Sequence, residues 1–162
     1  MLGEVVVEAG QASADGNIAT TGTWAALAAA MVLAAALWRL YFDSAVEINL
    51  KVFELSGGSP TMARAIFAVG HMLPAFALLI TAAGVGLLLD EKPPLIAYWL
   101  ACVGVGMYLV GTRAVLRANG RVPGIARFVV VLATFQLGRL HDALSPHGYV
   151  WLLTAWVVMC AR

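Results

Sequence analysis

Within the stretch Gly70-His71-Met72-Leu73-Pro74 an imidazole stands three residues before a proline, inside an otherwise apolar run. Pro74 has no N–H to donate and its ring presses on the carbonyl of Gly70, so the spacing predicts a kink there. The freed carbonyl and the neighbouring imidazole would form a local polar site. Ionisable groups inside a membrane segment are functional candidates by default. Histidine titrates near neutrality, which suits proton sensing or relay, while a neutral ring bonded to a neighbouring helix would be structural only.

A second constellation is Arg39, Asp43, Glu47 and Lys51, spaced by four residues throughout. On a helix continuing from the first apolar run they slant along one side, where Arg39–Asp43 and Glu47–Lys51 can pair. Charge at a bilayer centre costs about 2.5–3.5 kcal/mol, so depth decides what they do. Near a membrane boundary the stem of Arg39 can snorkel. The stripe is then either a solvated amphipathic extension or a paired ionic site in a cavity, with Asp43 the residue to test.

A third group, Arg139, His141, Asp142 and His147, clusters near a bend. It lacks an established ligand spacing such as HExxH. Metal sites need three or four ligands of fixed geometry, so no metal is assigned, and Arg139–Asp142 is expected as a surface pair. No P-loop, dinucleotide fingerprint, nucleophile elbow or CxxC motif occurs. We therefore expect no catalytic residues, no cofactor and no enzymatic activity.

The elements that would position these residues are membrane helices. Residues 24–42, 65–89 and 95–116 are apolar runs, and about 20 such residues cross a hydrocarbon core. Hydrophobic residues make up 62% of the 162 and charged residues 12%, against about 25% charged in soluble domains. A mean hydropathy of +0.88 agrees. The formal net charge of +1 gives no reason to expect nucleic acid as a partner. The partner this composition demands is a lipid bilayer.

Residues 124–140 and 149–160 are also apolar, the latter only about 18 Å long as a helix. We read them as a hairpin turned at Ser145-Pro146-His147-Gly148. The expected architecture is an all-α polytopic bundle of about five crossings over residues 24–162, with the last two as a short hairpin. Residues 1–23 would form a short helix and a loop, with Thr23 capping a helix that starts at Trp24. Lys51, Arg64, Arg113, Arg117, Arg121, Arg127 and Arg162 fall on one side of such a bundle, Lys92 and Arg139 on the other. The positive-inside rule places the first set in the cytoplasm and the N-terminus outside, in a plasma membrane. Gly22, Ala26, Ala30 and Ala34 make a small-residue stripe, for packing within the chain or between subunits. Trp24, Trp38, Tyr98, Trp99, Tyr149 and Trp151 are expected at the interfaces. Cys102 and Cys160 are too far apart for a disulfide.

The segment ALWRLYFD, from Ala36 to Asp43, resembles the ALWWLYFD motif of the bacterial low-temperature-requirement A family. Gly70-His71-Met72-Leu73-Pro74 is similar to that family's GHLP segment, and Leu2-Gly3-Glu4-Val5-Val6 to its LGESV stretch. Order and approximate spacing agree, but the resemblance covers only the C-terminal part of a longer pattern. Arg39 stands where the motif has a second tryptophan, and one extra residue separates His71 from Pro74. The resemblance implies a multi-pass inner-membrane protein and marks Glu4, Asp43 and His71 as matching polar positions. It implies no firm activity. It also implies a fragment, a truncated product or a half-length relative, with a second copy or the missing N-terminal part as partner. Two functions are then expected: a transport or conducting component, or a non-catalytic accessory subunit linked to growth in the cold.

Overall fold

A computed structural model of the chain describes residues 3, 7, 21–42, 45–90, 92–116 and 124–160. Every element among them is helical. They are α1 (Thr21–Phe42), α2 (Ala45–Leu55), α3 (Pro60–Leu88), α4 (Leu95–Leu116), α5 (Gly124–Gln136) and α6 (Pro146–Cys160). Three stretches are long and apolar enough to cross a membrane: Trp24–Phe42, Pro60–Leu88 and Leu95–Thr112. The other two helices of the expected five crossings are shorter. α5 has 13 residues and continues as a 3-10 helix over Leu137–Asp142, and α6 has 15.

The local boundaries follow from backbone chemistry. α1 is rich in alanine and leucine, the strongest helix formers. It begins at Thr21, three residues before Trp24, so Thr23 lies within the helix and is not its cap. α2 ends on Gly57 and Gly58, whose φ angles of 66° and 75° suit glycine. The Gly58 N–H reaches the Phe53 carbonyl at 3.2 Å and closes the last turn. Pro60 then opens α3, at a position where its missing N–H costs nothing.

The irregularity expected at Pro74 is found one turn upstream. Ala65–Val69 forms a π-helical turn in which the Gly70 N–H bonds back to the Ala65 carbonyl. Pro74 itself continues the helix and is buried. A widened turn ahead of the ring is one of the ways a helix accommodates such crowding. The turn before α6 also differs from expectation. Pro146, His147 and Gly148 are helical, and the bend lies at residues 143–145. Pro146 tolerates the first helical position, and the Ser145 hydroxyl accepts the Gly148 N–H at 3.2 Å.

The tightest packing joins α3 and α4. A Cβ placed on Gly84 would lie 2.8 Å from Ala101 Cα and 2.9 Å from the Leu100 carbonyl carbon. One placed on Gly104 would lie 2.6 Å from Thr81 N and 2.9 Å from Ala77 O. Backbone therefore meets backbone at two points, in the manner of small-residue membrane interfaces. α1 packs mainly on α6, where the Thr154 hydroxyl donates to the Ala29 carbonyl at 3.1 Å and to Val150 O at 2.8 Å. Ala26, Ala30 and Ala34 of the small-residue stripe are buried within the chain.

The described interior is apolar. The buried polar residues among those described are Thr81, Thr112, Thr134 and Thr154, and each hydroxyl donates to the carbonyl four residues earlier. Large apolar side chains also cover the outside, with Met31 58% and Phe76 57% exposed. Apolar residues on both faces of a helix are the mark of a lipid-solvated bundle. Tyr98 and Tyr149 depart from the expected aromatic belt: both are buried, and the Tyr149 hydroxyl donates to Tyr98 O at 3.2 Å. A buried phenol needs an acceptor, and a backbone carbonyl supplies one. Tyr108 does the same across helices, donating to Leu37 O at 2.8 Å. Tyr108→Phe should lower stability by about 1 kcal/mol, read as a shift in the denaturation midpoint in detergent.

Candidate functional site

The most connected polar group lies where the end of α1 meets the π-helical turn of α3. Tyr41 stands four residues after Leu37 on the inward side of α1 and extends toward His71. Its hydroxyl is hydrogen-bonded to His71 Nε2. On the other edge of the ring, His71 Nδ1 lies 3.1 Å from the Ile66 carbonyl, five residues back. The widened π turn places that carbonyl within reach of the side chain.

These two contacts decide the proton. A carbonyl can only accept, so Nδ1 must carry hydrogen. In the neutral ring Nε2 is then an acceptor, and the Tyr41 O–H donates to it. Protonating the imidazole would give Nε2 a hydrogen of its own. Tyr41 would have to turn from donor to acceptor. A charge change at His71 is thus coupled to the orientation of a hydroxyl on another helix.

Aromatic rings frame the pair. The Tyr41 and His71 rings are 5.5 Å apart and edge-on, and Phe67 lies along the imidazole at 6.5 Å with planes 26° apart. Phe53 of α2 meets Phe67 at 6.2 Å, while Phe42 meets Tyr41 at 5.2 Å. The imidazole is half-buried. Tyr41 and Phe67 meet the imidazole directly, and Phe42 and Phe53 pack behind them, which leaves its two nitrogens for hydrogen bonding.

Of the residues singled out in the sequence, His71 is placed at this centre by its hydrogen bonds. Pro74 is not part of the polar group: its ring packs against α4, where a Cβ on Gly111 would lie 3.1 Å from Pro74 Cγ. Arg39 is exposed on the outer side of α1. Glu4 and Asp43 lie outside the described residues, as do Arg117, Arg121 and Arg162 and the side chain of Glu47. The four-residue stripe is therefore described only at Arg39 and Lys51, both exposed. Tyr41, Phe67 and the Ile66 carbonyl were not anticipated. Tyr41 was visible in principle, because Leu37 and Tyr41 extend the four-residue spacing of the inward face of α1.

The C-terminal corner is organised differently from the surface pair expected for Arg139 and Asp142. Asp142 Oδ1 lies 2.8 Å from His141 Nδ1 instead. His141 is half-buried with its ring 6.0 Å from Tyr98, so it offers a fixed partner, whereas Arg139 is exposed. Among the described residues no three His, Cys, Asp or Glu side chains come together. Cys102 is a buried thiol whose S–H points to Trp99 O at 3.5 Å.

A bundle with three membrane-length helices, an apolar core and apolar outer faces defines a membrane-embedded helical protein. The family model for the bacterial low temperature requirement A protein matches residues 1–161, and the chain belongs to that family. No curated protein and no solved structure matches it. The two segments quoted above for the family, residues 36–43 and 70–74, are the ones whose side chains meet at Tyr41 and His71.

Proposed function

We propose that the protein is a transport or conducting component of a bacterial plasma membrane, and that the Tyr41–His71 pair is its proton-responsive element. One observation carries this reading: the ring hydrogen-bonds on both edges, so gaining a proton reverses the bond that ties α1 to α3. A polar switch at the junction of two membrane helices can couple protonation to helix movement. In this reading the N-terminus faces outward and the connections containing Lys51 and Arg117 face the cytoplasm. The protein performs no covalent catalysis and uses no cofactor.

The test is reconstitution of the full chain into proteoliposomes carrying a pH-sensitive dye. The account expects flux above empty vesicles that responds to pH and is lost in His71→Ala. Flux equal to that of empty vesicles at every pH would overturn it.

A second reading rests on a different observation. The four buried threonine hydroxyls are each paired to a backbone carbonyl, and the α3–α4 contact is backbone on backbone. That is the interior of a rigid accessory subunit, joined to a second copy or to another part of a longer family member. Co-purification of one defined partner in mild detergent, together with silent proteoliposomes, would favour it.

A further inference from the structure

We propose that Trp38 and Arg39 hold the phosphate of one anionic phospholipid against the outer face of α1. The inward face of this helix is buried, while Met31, Val32, Ala35, Trp38, Arg39 and Phe42 are exposed. In a membrane span, an exposed face is a lipid-facing face. Arg39 lies within the span Trp24–Phe42, three residues before its end. From Trp24 the helix rises roughly 22 Å to Arg39, most of the way across a hydrocarbon core of about 30 Å. From that level the flexible stem snorkels outward and carries the guanidinium to headgroup depth, past apolar neighbours. Its charge selects an anion, and its planar fork fits two oxygens of a phosphate.

The adjacent residue supplies a second donor. The Trp38 indole is 53% exposed and leans on Phe42 at 4.8 Å, which fixes the plane of its ring. No described group accepts its N–H, in contrast to Trp156, whose N–H donates to Thr134 Oγ1 at 2.9 Å. An indole nitrogen can only donate. At headgroup depth a lipid phosphate oxygen completes it. Arg39 also interacts within the chain. Five N–H donors on the guanidinium suffice for that contact and a phosphate together. One turn deeper, Ala35 is exposed beside Met31, a low point on the helix surface along which an acyl chain can lie. The lipid is thus defined by its chemistry: a net negative phosphodiester headgroup on an apolar tail.

The experiment places the full chain in nanodiscs of phosphatidylcholine, with and without phosphatidylglycerol. It reads the thermal midpoint, and the phosphatidylglycerol retained under native mass spectrometry. Wild type should gain stability from phosphatidylglycerol and retain one molecule. Arg39→Gln should lower the lipid's affinity about tenfold and abolish the gain. Trp38→Phe, which keeps the ring and removes the donor, should lower affinity less, and Arg64→Gln on α3 should not lower it. Full retention in Arg39→Gln would overturn the proposal. An equal loss in Arg64→Gln would too, by showing diffuse surface attraction. The same gain from soluble glycerophosphate in neutral detergent would overturn the lipid as its source, and a dimer that buries Trp38 without phosphatidylglycerol would assign the face to a second copy instead. Should Arg39→Gln fail to fold, Arg39→Lys decides: the proposal expects reduced retention because the fork is gone, and unchanged retention would contradict it.

Discussion

Gly84→Ala and Gly104→Ala should each lower the stability of the bundle by about 3 kcal/mol, the upper end for overpacking a filled contact. The added Cβ at Gly84 would meet the Ala101 backbone, with Ala101 Cα at 2.8 Å. At Gly104 it would meet Thr81 N at 2.6 Å and Ala77 O at 2.9 Å. Backbone cannot rotate aside as a side chain can. Either α3 and α4 move apart, or the turn between them distorts. Trimming Thr81 to alanine should not rescue Gly104→Ala, because the closest backbone atoms remain. Gly106→Ala is the comparison. There the nearest atoms are ring carbons of Phe135 at 3.0 Å, which can shift, so the loss should be smaller. Unfolding in mixed detergent micelles, followed by circular dichroism, gives the order: Gly104 and Gly84 most damaging, Gly106 least. Equal midpoints for all three would mean that the α3–α4 contact is looser than described.

The second large effect concerns flux. In proteoliposomes, His71→Ala and Tyr41→Phe should each reduce pH-dependent flux by about tenfold or more, and the double variant should lose little beyond either single one. The reason is structural. Both changes remove the same hydrogen bond, so their effects overlap rather than add. Tyr41→Phe keeps the ring that packs against Phe42 and the imidazole, and it isolates the hydroxyl. Multiplying losses would mean that the two side chains act separately. Unchanged flux in both would remove the pair from the transport path. Stability is a separate readout: one neutral hydrogen bond contributes about 1 kcal/mol, so Tyr41→Phe should remain folded.

Much of the architecture was legible in the sequence because lipid imposes a crude code. Residues 95–116 were marked by apolar character, broken by a charge only at Arg113 near the end, and α4 has those bounds. α1 ends where the apolar run ends, at Phe42. Hydropathy could not show the register between helices, and the site depends on register. His71 was identified from its rarity in an apolar run, which names no partner for it on a neighbouring helix. The partner found is Tyr41, a residue that reads as an interfacial aromatic until the two helices are set side by side. The π turn was equally hidden. Pro74 announced an irregularity, but where the backbone pattern changes depends on what packs around the ring, and Gly111 receives that ring. The same limit applied to Tyr98 and Tyr149. Their amphipathic rings suggested a membrane boundary, yet both are buried, and the Tyr98 carbonyl supplies the acceptor that the Tyr149 phenol needs.

The protonation pattern of the His71 ring carries the proposed switch most directly. Solid-state nitrogen NMR of histidine-labelled protein in bilayers, at a pH where His71 is neutral, reads it site by site. The predicted result is a hydrogen on Nδ1 and a bare, hydrogen-bonded Nε2 whose resonance alone moves in Tyr41→Phe. A hydrogen on Nε2 of the neutral ring, or a spectrum indifferent to Tyr41, would contradict it.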